Sequence, residues 1–278
     1  MSAIHPGEVV KVSERVRRIT APNPGVMTGP GTNAYIIGSQ AVAVVDPGPD
    51  IASHIGILTA LVGDRLRWIL CTHTHQDHSP AAKAVREATG AQVIGMPPPS
   101  DGRQDLTFEP DWIMRDGERL HTPEFTLRAV HTPGHASNHL CYLLEEERML
   151  FTGDHVMQGS TVVINPPDGN MVAYLAALER LLGFDLACFA PGHGRVIETP
   201  HDEVRRLIRH RLAREEKVMA ALRRTGGGDL DKLVAVAYDD VSDKLHPVAR
   251  RSLLAHLQKL EHEGRARRAA EEWTAITQ

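Results

Sequence analysis

One six-residue segment constrains the fold more than any other. His73-Thr74-His75-Gln76-Asp77-His78 sets four candidate metal ligands directly behind the strand-like run Leu66–Thr72. That run is too short for a stable helix and apolar enough for a buried strand. The fold must therefore carry a strand through its core and open it at once into a polar loop. Three imidazoles and a carboxylate packed this tightly cannot all reach one ion in good geometry, but they can serve two adjacent ions. Imidazole and carboxylate suit zinc or a similar borderline metal. A chain with 16 His can produce a His-rich loop by chance, so the reading depends on whether further ligands recur elsewhere.

They do, in matching settings. His135 closes the turn His131-Thr132-Pro133-Gly134-His135, behind a strand-like run. Asp154 lies in Phe151-Thr152-Gly153-Asp154-His155, again at a strand end. His193 lies in Ala190-Pro191-Gly192-His193-Gly194, where the flanking glycines let the backbone come close to a site. Each is weak alone, since a single His after a turn is usually structural. His131 reads as a buttress of its turn. The recurrence at successive strand ends is the signal, because that is where a layered α/β scaffold places its chemistry.

The rest of the chain supports such a scaffold. Strands are expected at Val16–Ile19, Ala34–Ile37, Ala41–Val45, Arg67–Thr72, Ala91–Gly95, Trp112–Ile113, Phe125–Val130, Leu140–Leu144, Met149–Thr152 and Leu186–Ala190. Helices are expected at Ile51–Val62, Pro80–Thr89 and Val172–Leu182. After Pro200 the pattern becomes helical. Asp202–Arg224 shows an apolar side of Val204, Leu207, Ile208, Leu212, Val218, Met219 and Leu222. Thr225–Gly228 is a breaker, Asp229 an N-cap for Leu230–Tyr238, and Pro247–Glu263 a last helix before a short β-wing through Arg265–Thr274. Leu253, Leu254, Leu257 and Leu260 read as packing residues. The expected domains are residues 1–202, catalytic, and 203–278, a small winged-helix-like module.

Charge divides along the same line. From Arg205 to Ala270 there are 16 Lys/Arg against 9 Asp/Glu, a net +7, whereas residues 1–204 carry 15 against 24, a net −9. Such a contrast points either to an anionic partner for the tail or to solvated helix faces. No apolar run approaches the roughly 20 residues of a membrane span, and the N-terminal stretch lacks a secretory apolar core, so the expectation is a cytoplasmic protein without a membrane partner. Cys71, Cys141 and Cys188 are widely spaced and fit three buried structural thiols in a reducing compartment.

As a set, His73-x-His75-x-Asp77-His78, His135, Asp154 and His193 resemble the motifs of the metallo-β-lactamase superfamily. The resemblance implies an α/β fold, a four-layer αβ/βα sandwich with the metals in a cleft at one edge of its two sheets. It also implies that His73, His75 and His135 bind one ion, that Asp77, His78 and His193 bind a second, and that Asp154 bridges them. Asn23-Pro24-Gly25-x-Met27-Thr28, Gly31-Thr32-Asn33-x-Tyr35, Gly153-Asp154-His155-Val156 and His256-Leu257-x-Lys259-Leu260-Glu261-x-Glu263-Gly264 extend it to the β-lactamase-like protein 2 group. That group carries a winged-helix-like C-terminal module. Its characterised animal members are endoribonucleases on single-stranded RNA, and related fungal enzymes hydrolyse carrier-protein thioesters.

The expected chemistry is hydrolysis. Two divalent ions roughly 3.5–4 Å apart share a bridging water and lower its pKa towards neutrality. Zn2+ is the default, with Mn2+ or Fe2+ possible in the same ligands. Asp77 would ligate the second ion and orient the nucleophile. His155 and His139 are candidate proton donors to a leaving group, each with a structural alternative. Thr72, Thr132 and Asp46 are candidates to fix imidazole tautomers. The leading expectation is cleavage of single-stranded RNA, although aromatics of only 4% show no base-stacking platform. The alternative is a thioester, lactone or other small acyl substrate, as in thioesterases or a hydroxyacylglutathione-hydrolase-like enzyme. A β-lactamase fits less well without a signal peptide. A non-catalytic nucleic-acid-binding protein fits poorly with seven intact ligand positions.

Overall fold

The computed structural model describes residues 4–276. They form two compact units. The first gathers the chain up to Thr132 with residues 138–160 and 184–200; the second gathers residues 133–137, 161–183 and 201 onward. The sequence reading draws its boundary at 202/203.

In the first unit, β1 (Val9–Lys11), β2 (Val16–Thr20), β3 (Asn33–Ile37), β4 (Val42–Val45), β5 (Leu66–Leu70), β6 (Gln92–Gly95) and β7 (Trp112–Ile113) form a sheet in chain order. Pairing is antiparallel from β1 to β4 and parallel from β4 to β7. The parallel crossovers carry α1 (Ala52–Val62) and α2 (Ala81–Thr89). A second sheet runs β12 (Cys188–Pro191), β11 (Met149–Gly153), β10 (Leu140–Leu144), β9 (Thr126–His131), β8 (Arg119–His121).

Alternation along the strands explains why they read as unbroken apolar runs. Tyr35, Ile37, Ala43 and Val45 point into one core with Leu127, Ala129, Tyr142 and Phe151 of the second sheet. Ala34, Ile36, Val42 and Val44 point the other way, onto Leu58 and Val62 of α1 and Val85 of α2. Both faces of β3 and β4 are therefore buried, which removes the polar alternation of a half-exposed strand. Cys71 and Cys141 are buried as expected, but Cys188 is only half-buried because β12 is an edge strand.

In the second unit, α3 (Met171–Leu181), α4 (Pro200–Thr225), α5 (Leu230–Ala237) and α6 (His246–His262) are followed by the hairpin β13 (Ala266–Ala269) and β14 (Glu272–Ala275). Asp229 caps α5, its side chain accepting the Lys232 N–H. Val218, Met219 and Leu222 of α4 pack with Leu233, Val234, Leu253, Leu257, Leu260 and Trp273, while Leu254 is partly buried against them. The apolar stripe read along α4 needs one correction. Leu212 is 45% exposed, and Arg211, Arg214 and Glu215 are buried in its stead. Long arginine stems cover apolar surface while their heads find partners: the Arg214 guanidinium lies 4.2 Å from the Tyr238 ring centre and ion-pairs with Asp240.

Candidate metal centre

Two parallel strands end side by side at the site. Behind β4, Asp46 takes up a left-handed backbone (φ 53°), a strained conformation for a non-glycine residue. Its buried carboxylate accepts the Thr72 N–H (2.7 Å), the Thr72 hydroxyl (2.8 Å) and His78 Nδ1–H (2.9 Å). The Thr72 hydroxyl, committed as a donor to Asp46, must then accept from His73 Nδ1–H at 3.0 Å. One carboxylate thus fixes the proton positions of two imidazoles and leaves Nε2 as the lone-pair end of each. Of the three residues considered for this role, Asp46 and Thr72 fill it directly. Thr132 instead meets His139 Nδ1 at 2.9 Å.

The other rings are oriented in the same way by main-chain carbonyls. His193 Nδ1 faces Gly31 O at 3.2 Å and His135 Nδ1 faces Val163 O at 2.8 Å. The far ends of the rings converge. His193 Nε2 lies 3.2 Å from both Asp77 Oδ2 and Asp154 Oδ1, and His78 Nε2 lies 3.3 Å from Asp154 Oδ1. His73 Nε2 and His75 Nδ1 are 2.9 Å apart. Within the first unit two groups have ligand atoms all within 4.8 Å of one another, His73 with His78 and Asp154, and Asp77 with His78 and His193, while His135 belongs to the second unit. Gly192 permits this crowding, because a Cβ there would sit 2.7 Å from His78 Cε1. His78 Nε2 and His193 Nε2 are buried without a hydrogen bond, a costly state unless a cation is their intended partner. The donor set, imidazole nitrogens and carboxylate oxygens, fits zinc-type divalent ions.

Electrostatics say the same. Burial pulls the His78 imidazole down, but Asp77, Asp154 and Asp46 outweigh it and hold its pKa well above the usual value. Burial likewise works against the charged form of His193, yet Asp154 and Asp77 raise it to about 10. Burial, with His78, His75 and His139 around it, drives His73 well below the usual value. Burial alone would raise both carboxylates, but the neighbouring imidazoles hold Asp77 low and Asp154 well below the carboxylate range. The pocket is built for positive charge against its two carboxylates.

Residues 27–193 match the metallo-beta-lactamase superfamily. The chain belongs to that superfamily. Residues 230–273 match the beta-lactamase associated winged helix domain. A Drosophila melanogaster relative named beta-lactamase-like protein 2 homolog is 31% identical, across 93% of this chain and 92% of its own. An atrochrysone carboxyl ACP thioesterase of Aspergillus fumigatus is 32% identical, across 77% of this chain and 67% of its own. Among solved structures, a metallo-beta-lactamase family protein of Thermus thermophilus shares the fold, with a TM-score of 0.81 at 22% identity over 96% of this chain and all of that one. The chain is thus a hydrolase of the metallo-β-lactamase superfamily with a winged-helix module, and its His/Asp clusters can hold metal.

In this superfamily member, the two histidines weighed as proton donors are both 0% exposed. His139 Nε2 accepts the Asp154 N–H (3.2 Å), and its ring stacks on His73 at 5.0 Å between ring centres. His155 lies behind it, 6.0 Å from the His139 ring. His131 is in neither ligand group of the first unit; its N–H donates to Asp116. Sequence reasoning missed the carbonyls of Gly31 and Val163 and the role of Asn33 and Tyr35. Asn33 Nδ2 donates to Pro191 O and Gly194 O, and the Tyr35 hydroxyl donates to Pro191 O, so β3 holds the turn that presents His193. The available signal was polar Thr32-Asn33 leading into an otherwise apolar strand.

Proposed function

We propose that this chain is a dinuclear metal hydrolase whose best-supported substrates are acyl thioesters. His73, His75 and His135 would hold one divalent ion, Asp77, His78 and His193 the second, and Asp154 would serve both. Zinc is the first choice for such ligands, and manganese or iron would suit them as well. Bound together, two such ions would acidify a water and polarise the substrate's electrophilic oxygen. Catalysis would be centred in residues 1–202, with the helical module in 203–278. Asp77, about a quarter exposed at its side chain, is the carboxylate best placed to orient an attacking water. His139 has a positioning task, holding the Asp154 main chain.

The burial of His139 and His155 carries the substrate reading. An alkoxide leaving group is helped by a proton donor in reach, and these two rings are fully buried. A thiolate, with a thiol pKa of about 8.5, departs without one. One relative is itself named as an acyl-carrier thioesterase. Part of the tail's positive charge is met internally: Lys217 pairs with Asp239, Arg250 with Asp231, Arg265 with Glu215 and Glu216, and Arg268 with Glu271. Cleavage of single-stranded RNA is the second reading. It is favoured by the near full-length match to a β-lactamase-like protein 2 homolog, winged helix included.

The test is turnover by zinc-loaded protein on a panel of acyl thioesters beside single-stranded RNA, with Asp77→Ala as control. Thioester hydrolysis falling at least ~10^3-fold in the variant is the expected result. RNA cleavage that exceeds thioester turnover and is lost in Asp77→Ala would replace this reading by the second. RNA cleavage surviving in the variant would mark a contaminating nuclease.

A further inference from the structure

Arg211 is an anomaly in α4. It is 3% exposed, its guanidinium lies 5.2 Å from the Tyr174 ring centre, and among the described residues no carboxylate pairs with it. Its Nε has no hydrogen-bond partner. Burying a guanidinium without a counter-charge costs several kcal/mol, and a methionine would fill similar space without that cost. The group must therefore do something that packing does not.

What it grips is a strap of three residues. Arg211 Nη2 donates to Val162 O. Two residues on, the Ile164 N–H donates to the Ser252 hydroxyl of α6 at 3.4 Å, and Ser252 is itself buried. Between these two ties lies Val163, whose carbonyl accepts His135 Nδ1–H at 2.8 Å. The turn bearing His135 is held at the same place by α3 and its approach. Asn170 N–H donates to Gly134 O, Ser137 N–H donates to Asp168, and a Cβ on Gly134 would meet Tyr174 Cα at 2.4 Å. Every one of these residues belongs to the second unit.

We infer that Arg211 is a positioning residue for His135, acting from the helical module through the 162–164 strap to aim the imidazole of a metal ligand. The inference rests on the assignment of His135 as a ligand of the first ion. A peptide carbonyl can fix a ring only if its own peptide planes are fixed, and Arg211 and Ser252 supply that on either side of Val163. The second ligand group has different anchors, Asp46 behind His78 and Gly31 behind His193. Loss of Arg211 should thus weaken one metal equivalent and spare the other. Outer partners of metal-ligating histidines typically contribute 10–100-fold in affinity.

Metal-free full-length protein is titrated with zinc against a chromophoric chelator, and the His135 ring is followed by long-range 15N NMR. In Arg211→Met, one of two equivalents should weaken ~10–100-fold while the other holds, and the His135 Nδ1–H signal should broaden or shift. Arg211→Lys, which keeps a donor, should recover part of the loss. Should Arg211→Met fail to fold, Ser252→Ala removes the milder tie and should weaken the same equivalent. A folded Arg211→Met, or Ser252→Ala, that binds both equivalents with wild-type affinity and an unchanged His135 signal overturns the inference. Wild-type protein that binds fewer than two equivalents overturns the dinuclear reading itself, and this inference with it.

Discussion

Asp46→Asn should abolish most turnover while leaving the fold in place. The substitution keeps size, and asparagine tolerates the left-handed backbone found there. It replaces one acceptor oxygen by an amide donor. The Thr72 N–H can only donate, so the remaining oxygen stays on it and the amide nitrogen takes the place of Oδ2, facing the Thr72 hydroxyl and His78 Nδ1. His78 must then accept at Nδ1 and carry its proton on Nε2, the end that faces Asp154 and Asp77. The Thr72 hydroxyl, now an acceptor from the amide, donates onward to His73 Nδ1 and reverses that ring as well. One atom exchange therefore presents N–H groups where two ligand lone pairs belong. A wrong imidazole tautomer behind an otherwise intact site costs on the order of 10^4-fold in a well-studied hydrolase triad, and a loss of at least ~10^3-fold is expected here. The check is kcat/KM on the best thioester substrate together with thermal unfolding. Activity within tenfold of wild type at an unchanged Tm would show that Asp46 does not set these tautomers.

That Asp46 matters was only half legible. The ligand set could be read because ligands are side chains, and each stood at the end of an apolar run that had to be a strand. Strand and helix positions followed for the same reason: β3 and β4 are buried on both faces, so their hydrophobic runs are nearly unbroken. The three-residue edge strands β1 and β8 left no such run and were not anticipated. The partners behind the ligands were hidden in a different way. Gly31 O and Val163 O are main-chain atoms, and any residue supplies a carbonyl, so no letter in the sequence marks them. On α4, periodicity put Leu212 inside and Arg211 and Arg214 outside. The structure reverses this, because two tyrosine rings and several carbonyls offer the guanidinium groups a better place than water offers a leucine.

Glu215→Ala should destabilise the helical module by about 3 kcal/mol, the scale for removing one partner of a buried ion pair. Glu215 is 2% exposed on α4 and is the hub of a charge cluster. Lys259 of α6 reaches it at 2.8 Å, Arg265 ahead of β13 at 2.8 Å, and the buried His256 at 3.7 Å. Its removal leaves Lys259, whose side chain is only 10% exposed, with Glu263 as its one remaining carboxylate among the described residues. The same cluster sets an acid limit. Burial pushes the Glu215 carboxyl up, but His256 and Lys259 outweigh it and bring it to about 2. A depressed carboxylate stabilises the fold above its unfolded pKa of about 4.3, and that contribution fades as pH falls from there towards 2. Burial, only partly opposed by Glu215, lowers His256 to about 4. Below about pH 6.5 the unfolded chain therefore takes up a proton that the folded chain refuses, so stability declines between roughly 6.5 and 4. Buried Trp273 reports on the module, and its fluorescence with Trp68 and Trp112 replaced by Phe gives urea midpoints across pH. His256→Gln should flatten the decline between pH 6.5 and 4, and Glu215→Gln the decline below 4.3. A Glu215→Ala loss under ~1 kcal/mol, the scale of an exposed pair, would place this cluster among ordinary surface ion pairs and take the acid limit with it.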